Sequence, residues 1–350
     1  MDQPTASTSG QPVGPQSLTW WHHGLDSPSG RLAERLVQLY GPDQAQLAER
    51  RAALSRALAH FQQSYDSPGP LAIARAPGRL NTLGRHIDHR GGYVNPVSLH
   101  FETLLVFFAR HDDLVRISDT NPAFGSRQFR IAELLPDRPI CDLGAWLSWT
   151  QQQADQRASA GTRSDWVHKI AAPAVYLQHI YQPQIRLRGF DGVLYGSVPQ
   201  AMGLSSSSSL VVAATEALLA VNRLDLPADE YPLRCGEMEW YVGTRGGCGD
   251  HAAIKLARPG QIMHMRTEPV LMLRKHLPFP TGYQLLVFDS GIVADKTGRA
   301  GQRFNANTAT YAIGELYARR WLKHNAGWLY EQLTSARADR PVDRQIFLAD

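Results

Sequence analysis

Two stretches of this 350-residue chain concentrate groups that can do chemistry. The first is residues 75–92, RAPGRLNTLGRHIDHRGG, where Pro77-Gly78 reads as a turn and His86, Asp88 and His89 crowd against Gly91-Gly92. Such a density of ionisable groups is costly in a core and useful in a site. An exposed polar loop is the plainer reading. A metal pair at His86 and His89 is a third, although no further ligand is evident. The second stretch is residues 196–209, GSVPQAMGLSSSSS, which runs directly into the apolar run 210–220, LVVAATEALLA. Backbone N–H groups in a tight turn, with the positive end of a helix behind them, satisfy the charges of a phosphate chain. Small residues permit close approach, and serine hydroxyls add donors and can ligate Mg²⁺. Five serines could also be a linker or a cap, but a linker would not run straight into so apolar a helix.

These stretches resemble a known family. APGR-x-N-x-x-G-x-H-x-D-x-x-GG, read from Ala76 to Gly92, is similar to the galactokinase signature, and GSVP…GLSSS to the phosphate motif of the GHMP kinases. Residues 241–254, YVGTRGGCGDHAAI, resemble the family's G-x-x-x-G-x-x-D-Q segment, and 165–170, DWVHKI, its W-x-x-Y-V-K-G helix. The matches follow the family order over roughly residues 66–320. The resemblance implies an α+β fold, the GHMP kinase N-terminal domain of the ribosomal protein S5 domain 2-like type, followed by the start of a truncated C-terminal domain. It implies ATP and Mg²⁺ as cofactors and transfer of the γ-phosphate to a sugar, at the anomeric hydroxyl of a hexose or hexuronic acid.

Carried over by position, Arg79 and Asp250 match the catalytic pair. Gly203, Leu204, Ser205, Ser206, Ser207 and Ser208 match the ATP loop, and Ser207 matches the Mg²⁺-ligating serine. Glu239 is the candidate second metal ligand, unless it lies on a solvated helix face. Arg85, His86, Asp88 and Gly247 match sugar-contacting positions. A carboxylate can accept the hydroxyl proton, and a guanidinium can offset charge on the transferring phosphoryl group.

The chain departs from galactokinases where Arg85 replaces a glutamate, where His251 rather than glutamine follows Asp250, and where Ala201 and Met202 replace glycines. Arg85 suits a substrate carboxylate, as does the similarity of residues 241–245 to plant galacturonokinases; an outward-pointing Arg85 is the alternative. A late glycine-rich motif of the family is missing, so a truncated chain, or one completed by a protein partner, is expected. The rival class is a catalytically silent sensor of sugar and ATP.

The elements that must hold these residues are only partly legible. The spacing predicts helices over 44–65, 165–179, 204–221, 229–241 (with Asp229 as cap) and 304–324. It predicts strands over 71–75, 102–110 (paired with 115–118), 185–190, 262–266 and 284–288. Elements mix without strict βαβ alternation, which favours α+β. We read residues 1–43 as tail and extension, 44–275 as the ATP- and sugar-binding domain, and 276–350 as the beginning of the incomplete second domain. The apolar residues of 284–288 and 304–324 are expected to form a partly uncovered face.

Hydrophobic residues make up 43 % of the chain and charged residues 19 %, which suits a buried core and argues against disorder. The net charge of +4 is dispersed, with no run that suggests nucleic acid. Three cysteines without a CxxC pair fit a reducing compartment. The default expectation is a soluble cytoplasmic protein with a small-molecule sugar or sugar-acid substrate, no nucleic acid and no membrane.

Overall fold

The fold is described from a computed structural model, for residues 13–66, 69–84, 87–88, 91–140, 142–267, 271–291 and 299–335. Its organisation follows from strand β2 (Asn95–Ala109). Successive side chains of a strand point to opposite faces. Leu104 and Val106 enter one apolar cluster, and Leu105 and Phe107 enter another. A strand apolar on both faces must be covered on both. The chain supplies α1 (Leu18–Asp26), α2 (Arg31–Tyr40) and α3 (Gln44–Ser64) on the first face. On the second lie α4 (Leu143–Ser159), α5 (Val167–Tyr181), α6 (Ser206–Asn222) and α7 (Tyr231–Glu239). Each buried Leu or Phe side chain contributes about 1.5–3 kcal/mol.

The five-stranded sheet has the order β1-β2-β5-β3-β4, with β1 Ala72–Leu83, β3 Leu114–Asp119, β4 Ser126–Arg130 and β5 Phe190–Gly196. All pairings are antiparallel except β3 with β5. The mixture of antiparallel hairpins and packed helices is the expected α+β class. A hairpin of β6 (Gln261–Arg266) and β7 (Met272–Pro278) is tied to the body through the Val94–Met265 bridge.

Caps explain the helix starts. Asp43 accepts from the amides of Ala45 and Gln46, at 2.9 and 3.1 Å, and so opens α3. The segment before residue 44 joins the same layer, since Trp21 is buried and its Nε1 donates to Leu71 O at 3.2 Å. Among the described residues no helix is long and apolar enough to cross a membrane.

Several expectations are corrected. Residues 185–189 are not a strand, because side-chain amides take their backbone groups. Gln178 bonds Leu187 N and Ile185 O, each at 2.7 Å, and Asn222 bonds Arg188 N and O. The strand begins instead at Phe190. Residues 115–118 pair with β4 and β5 rather than with β2, because β5 inserts between them. Helix α7 starts at Tyr231 after Glu230, without a side-chain cap, so Asp229 does not cap it. Pro77-Gly78 is an irregularity within β1 rather than a turn, a position where a strand tolerates proline. Residues 284–288 form no strand, since no described strand pairs with them, and Leu286 and Phe288 are exposed. Ile313, Leu316 and Trp321 on α9 (Arg299–Asn325) are exposed as well, and α10 (Gly327–Ser335) follows.

Candidate active site

The site forms where β1, the start of α6 and the start of α8 (Gly249–Leu256) meet. Arg79 and Asp250 are 171 positions apart in sequence. Arg79 Nε donates to Asp250 Oδ1 at 2.8 Å, and Nη2 reaches the same oxygen. Arg79 Nη1 donates to Gly203 O at 2.9 Å, and its backbone amide donates to Leu204 O at 3.2 Å. Ser205 Oγ donates to Asp250 Oδ2 at 2.5 Å. One guanidinium therefore ties the candidate base to the candidate phosphate loop. Burial works against the charged form of Asp250, but Arg79 and the Ser205 hydroxyl outweigh it and hold the carboxyl below its ordinary value.

This close approach depends on Gly78. A Cβ there would meet Leu204 O at 3.0 Å and the Val198 side chain at 3.1 Å. The loop itself is held in left-handed backbone, with φ of 57° at Ala201, 74° at Gly203 and 64° at Ser205. Ala201 thus takes a glycine-like conformation at a position where galactokinases have glycine, at some strain. Because the Ser205 hydroxyl serves Asp250, no side chain caps α6. Its first-turn amides are left for another acceptor, which suits an anion.

Gly203, Ser205, Ser206 and Ser207 line a cavity of about 810 Å³. Asp119, Phe124, Trp166 and Lys169 line it too. Trp166 and Lys169 belong to the 165–170 stretch already singled out by resemblance, whereas Asp119 and Phe124 carry no signal beyond the Asn121-Pro122 turn. Burial raises the Asp119 carboxyl above its ordinary value.

Asp88 is drawn to the same place. Its Oδ2 accepts from Gly249 N, the first residue of α8, at 3.2 Å, and its backbone O accepts from Thr267 Oγ1 at 3.1 Å. Gly247 lies half-buried in the loop before α8. Arg85 and His86 lie outside the described residues.

Glu239 does not lie on a solvated face: it is buried at the end of α7, and its Oε1 accepts from Ser208 Oγ at 3.1 Å. The hydroxyl that reaches it is thus that of Ser208, while Ser207 faces the cavity. His251 Nε2 lies 3.7 Å from the same oxygen. Among the described residues no group of three or more His, Cys, Asp or Glu is placed to hold a metal. A carboxylate and serine hydroxyls do fit a hard divalent cation that takes its remaining ligands from phosphate. Cys235 and Cys248 are buried free thiols, the first pushed up to about 12 by burial, and Cys141 lies outside the described residues.

Comparison with known proteins bears on these residues directly. Residues 59–107 match the family model described as the galactokinase galactose-binding signature, and residues 168–258 match the GHMP kinases N terminal domain. The first span contains Arg79, Arg85, His86 and Asp88, and the second contains the serine loop, Glu239, Gly247 and Asp250. Galactokinases of Chloroflexus aggregans and Chloroflexus aurantiacus are 30 % and 29 % identical over 257 residues, which is 73 % of this chain. The chain spans 57 % of the length of each. The solved galactokinase of Lactococcus lactis, complexed with galactose, aligns with a TM-score of 0.49 at 20 % identity, over 81 % of this chain and 67 % of that one. With both family models matched in order on the α+β body, this chain carries the galactokinase galactose-binding signature followed by the GHMP kinases N terminal domain, and is similar to galactokinases.

Proposed function

We propose that the chain is an ATP-dependent sugar kinase that phosphorylates a sugar or sugar acid at its anomeric hydroxyl. The observation that carries this reading is the joint of Arg79, Asp250 and Ser205 beneath the uncapped start of α6. In the reaction the sugar oxygen forms a bond to the γ-phosphorus, the bond from that phosphorus to the bridging oxygen of ADP breaks, and the hydroxyl proton passes to Asp250. A carboxyl held below its ordinary value is ionised at neutral pH but is a weak base. It therefore orients the hydroxyl early and takes the proton late, once the oxygen is partly bonded to phosphorus, as a loose transition state permits.

Arg79 fixes that carboxylate and adds positive charge beside the transferring group. The amides from Gly203 to Ser207 receive the β- and γ-phosphates, and the 810 Å³ cavity takes the rest of the nucleotide. Mg²⁺, when bound, neutralises phosphate charge; Ser207 and Glu239 are the residues that would hold it. Asp88 sits beside the backbone of Gly249 and, with Gly247 and the motif residues His86 and Arg85, belongs to the sugar side. A cation at position 85 suits a carboxylate at C6 of a hexuronic acid.

ATP turnover measured over galactose, galacturonate, glucuronate, arabinose and N-acetylgalactosamine tests the proposal, with the phosphorylated position read by NMR. The expected result is a sugar 1-phosphate, with the uronic acid preferred roughly ten- to a hundredfold over the neutral hexose in kcat/KM. An Arg85→Glu substitution should narrow that preference. Absence of transfer to any of these sugars by a protein that binds them and ATP would leave a sensor instead.

A further inference from the structure

His251 stands where the galactokinase pattern has glutamine, directly after Asp250 on α8. The side chain is fully buried, at 0 % exposure, and neither Nδ1 nor Nε2 has a hydrogen-bond partner. Burying an imidazole with both nitrogens unsatisfied is costly, and a fold retains such a group where something else takes its lone pair. Nε2 lies 3.7 Å from Oε1 of Glu239, itself buried at 7 % exposure and bonded by the Ser208 hydroxyl. Donor atoms that share one cation, with bonds of about 2.1 Å, sit about 3–4 Å from each other. The separation of the imidazole nitrogen and the carboxylate oxygen falls in that interval.

We propose that Glu239 and His251 together bind the divalent cation, and that the imidazole tunes the site towards borderline transition ions such as Mn²⁺ or Co²⁺ and away from Mg²⁺. This rests on the kinase reading and deepens it. Mg²⁺ prefers oxygen ligands throughout, whereas neutral imidazole suits first-row transition ions. Two side chains hold a cation weakly alone, so nucleotide phosphate oxygens complete the set and metal and nucleotide bind together.

The test is calorimetric titration of Mn²⁺ and of Mg²⁺ into the whole chain, with and without a non-hydrolysable ATP analogue. It is paired with pulsed EPR of the Mn²⁺-loaded protein. The wild type should bind Mn²⁺ roughly tenfold or more tightly than Mg²⁺ and show nitrogen coupling to the bound ion. His251→Gln, which restores the family residue, should abolish the coupling and bring the two affinities together, with Mg²⁺ binding little changed. Glu239→Gln should weaken both ions. A wild type without nitrogen coupling overturns the inference whether or not any variant folds, and so does coupling that survives His251→Gln. If the ATP analogue itself does not bind, the kinase reading fails, while nitrogen coupling in the nucleotide-free protein at saturating Mn²⁺, where even the weak two-ligand site fills, still decides the role of His251.

Discussion

Two carboxylates in this molecule are each held by arginine and a hydroxyl, and they have opposite characters. Glu102 on β2 is fully buried, and its oxygens lie 2.8 Å from Tyr40 OH. Arg50 Nη1 approaches at 3.3 Å and Arg75 Nε at 2.5 Å. These partners come from α2, α3 and β1, so the cluster pins the outer helical layer to the sheet. Asp250 is bound by Arg79 and Ser205 and stays 26 % exposed. The first is saturated and closed to solvent. The second keeps part of its surface open beside an uncapped helix and a cavity. Similar ingredients give a structural clamp when every oxygen is enclosed and a carboxylate open to a ligand when some surface remains.

The sharpest way to break this contrast is to neutralise each carboxylate in turn. Asp250→Asn should lower kcat about a thousandfold or more, with ATP-analogue affinity and melting temperature nearly preserved. Turnover near the wild-type rate would remove Asp250 from the chemistry. Glu102→Gln should do the reverse. It leaves Arg50 and Arg75 against a neutral partner in the interior, and breaking a buried pair costs about 3–5 kcal/mol. The melting temperature should fall by many degrees, while the fraction that stays folded turns over normally. Equal losses of activity in both variants would erase the distinction.

Gly78→Ala separates the two clusters by packing alone. The added methyl would press on Leu204 O at 3.0 Å, moving the phosphate loop away from β1 and leaving Glu102 untouched. KM for ATP should rise roughly tenfold, with stability lowered by about 1–2 kcal/mol. An unchanged KM would mean that the close approach of strand and loop is not needed for nucleotide binding.

The two clusters also differ in how far they could be read from sequence. Arg79 and Asp250 were marked by the resemblance of their motifs to the galactokinase pattern, which carries a pair at those positions. Glu102 lay unremarked inside an apolar strand, since nothing local shows that Tyr40, Arg50 and Arg75 converge on it. Helix α3 was legible from its periodicity and α6 from its apolar run. The strand expected over 185–190 failed because the side chains of Gln178, on the preceding helix, and of Asn222, 34 positions beyond Arg188, occupy its backbone. The Ser208–Glu239–His251 contacts depend on how α6, α7 and α8 pack, which no single stretch encodes.

Ser205 offers the finest test, because it acts on Asp250 through one hydrogen bond while itself holding a left-handed backbone. Asp250 is a group whose carboxyl is held below its ordinary value of 3.8 in the fold. The stability it contributes is present above that value and is lost as the pH falls towards the lower, folded one. Removing the hydroxyl by Ser205→Ala should raise the carboxyl towards its ordinary value, moving the acid limb of kcat/KM to higher pH. Loss of about 1 kcal/mol of hydrogen bonding should also reduce kcat/KM roughly fivefold at neutral pH. Ser205→Gly removes the same hydroxyl but relieves the backbone, since glycine adopts a φ of 64° freely. The glycine variant should therefore be more stable than the alanine variant by about 1 kcal/mol, with the same displaced acid limb. If the limb moves in one variant and not in the other, backbone geometry rather than the hydroxyl sets the charge state of Asp250.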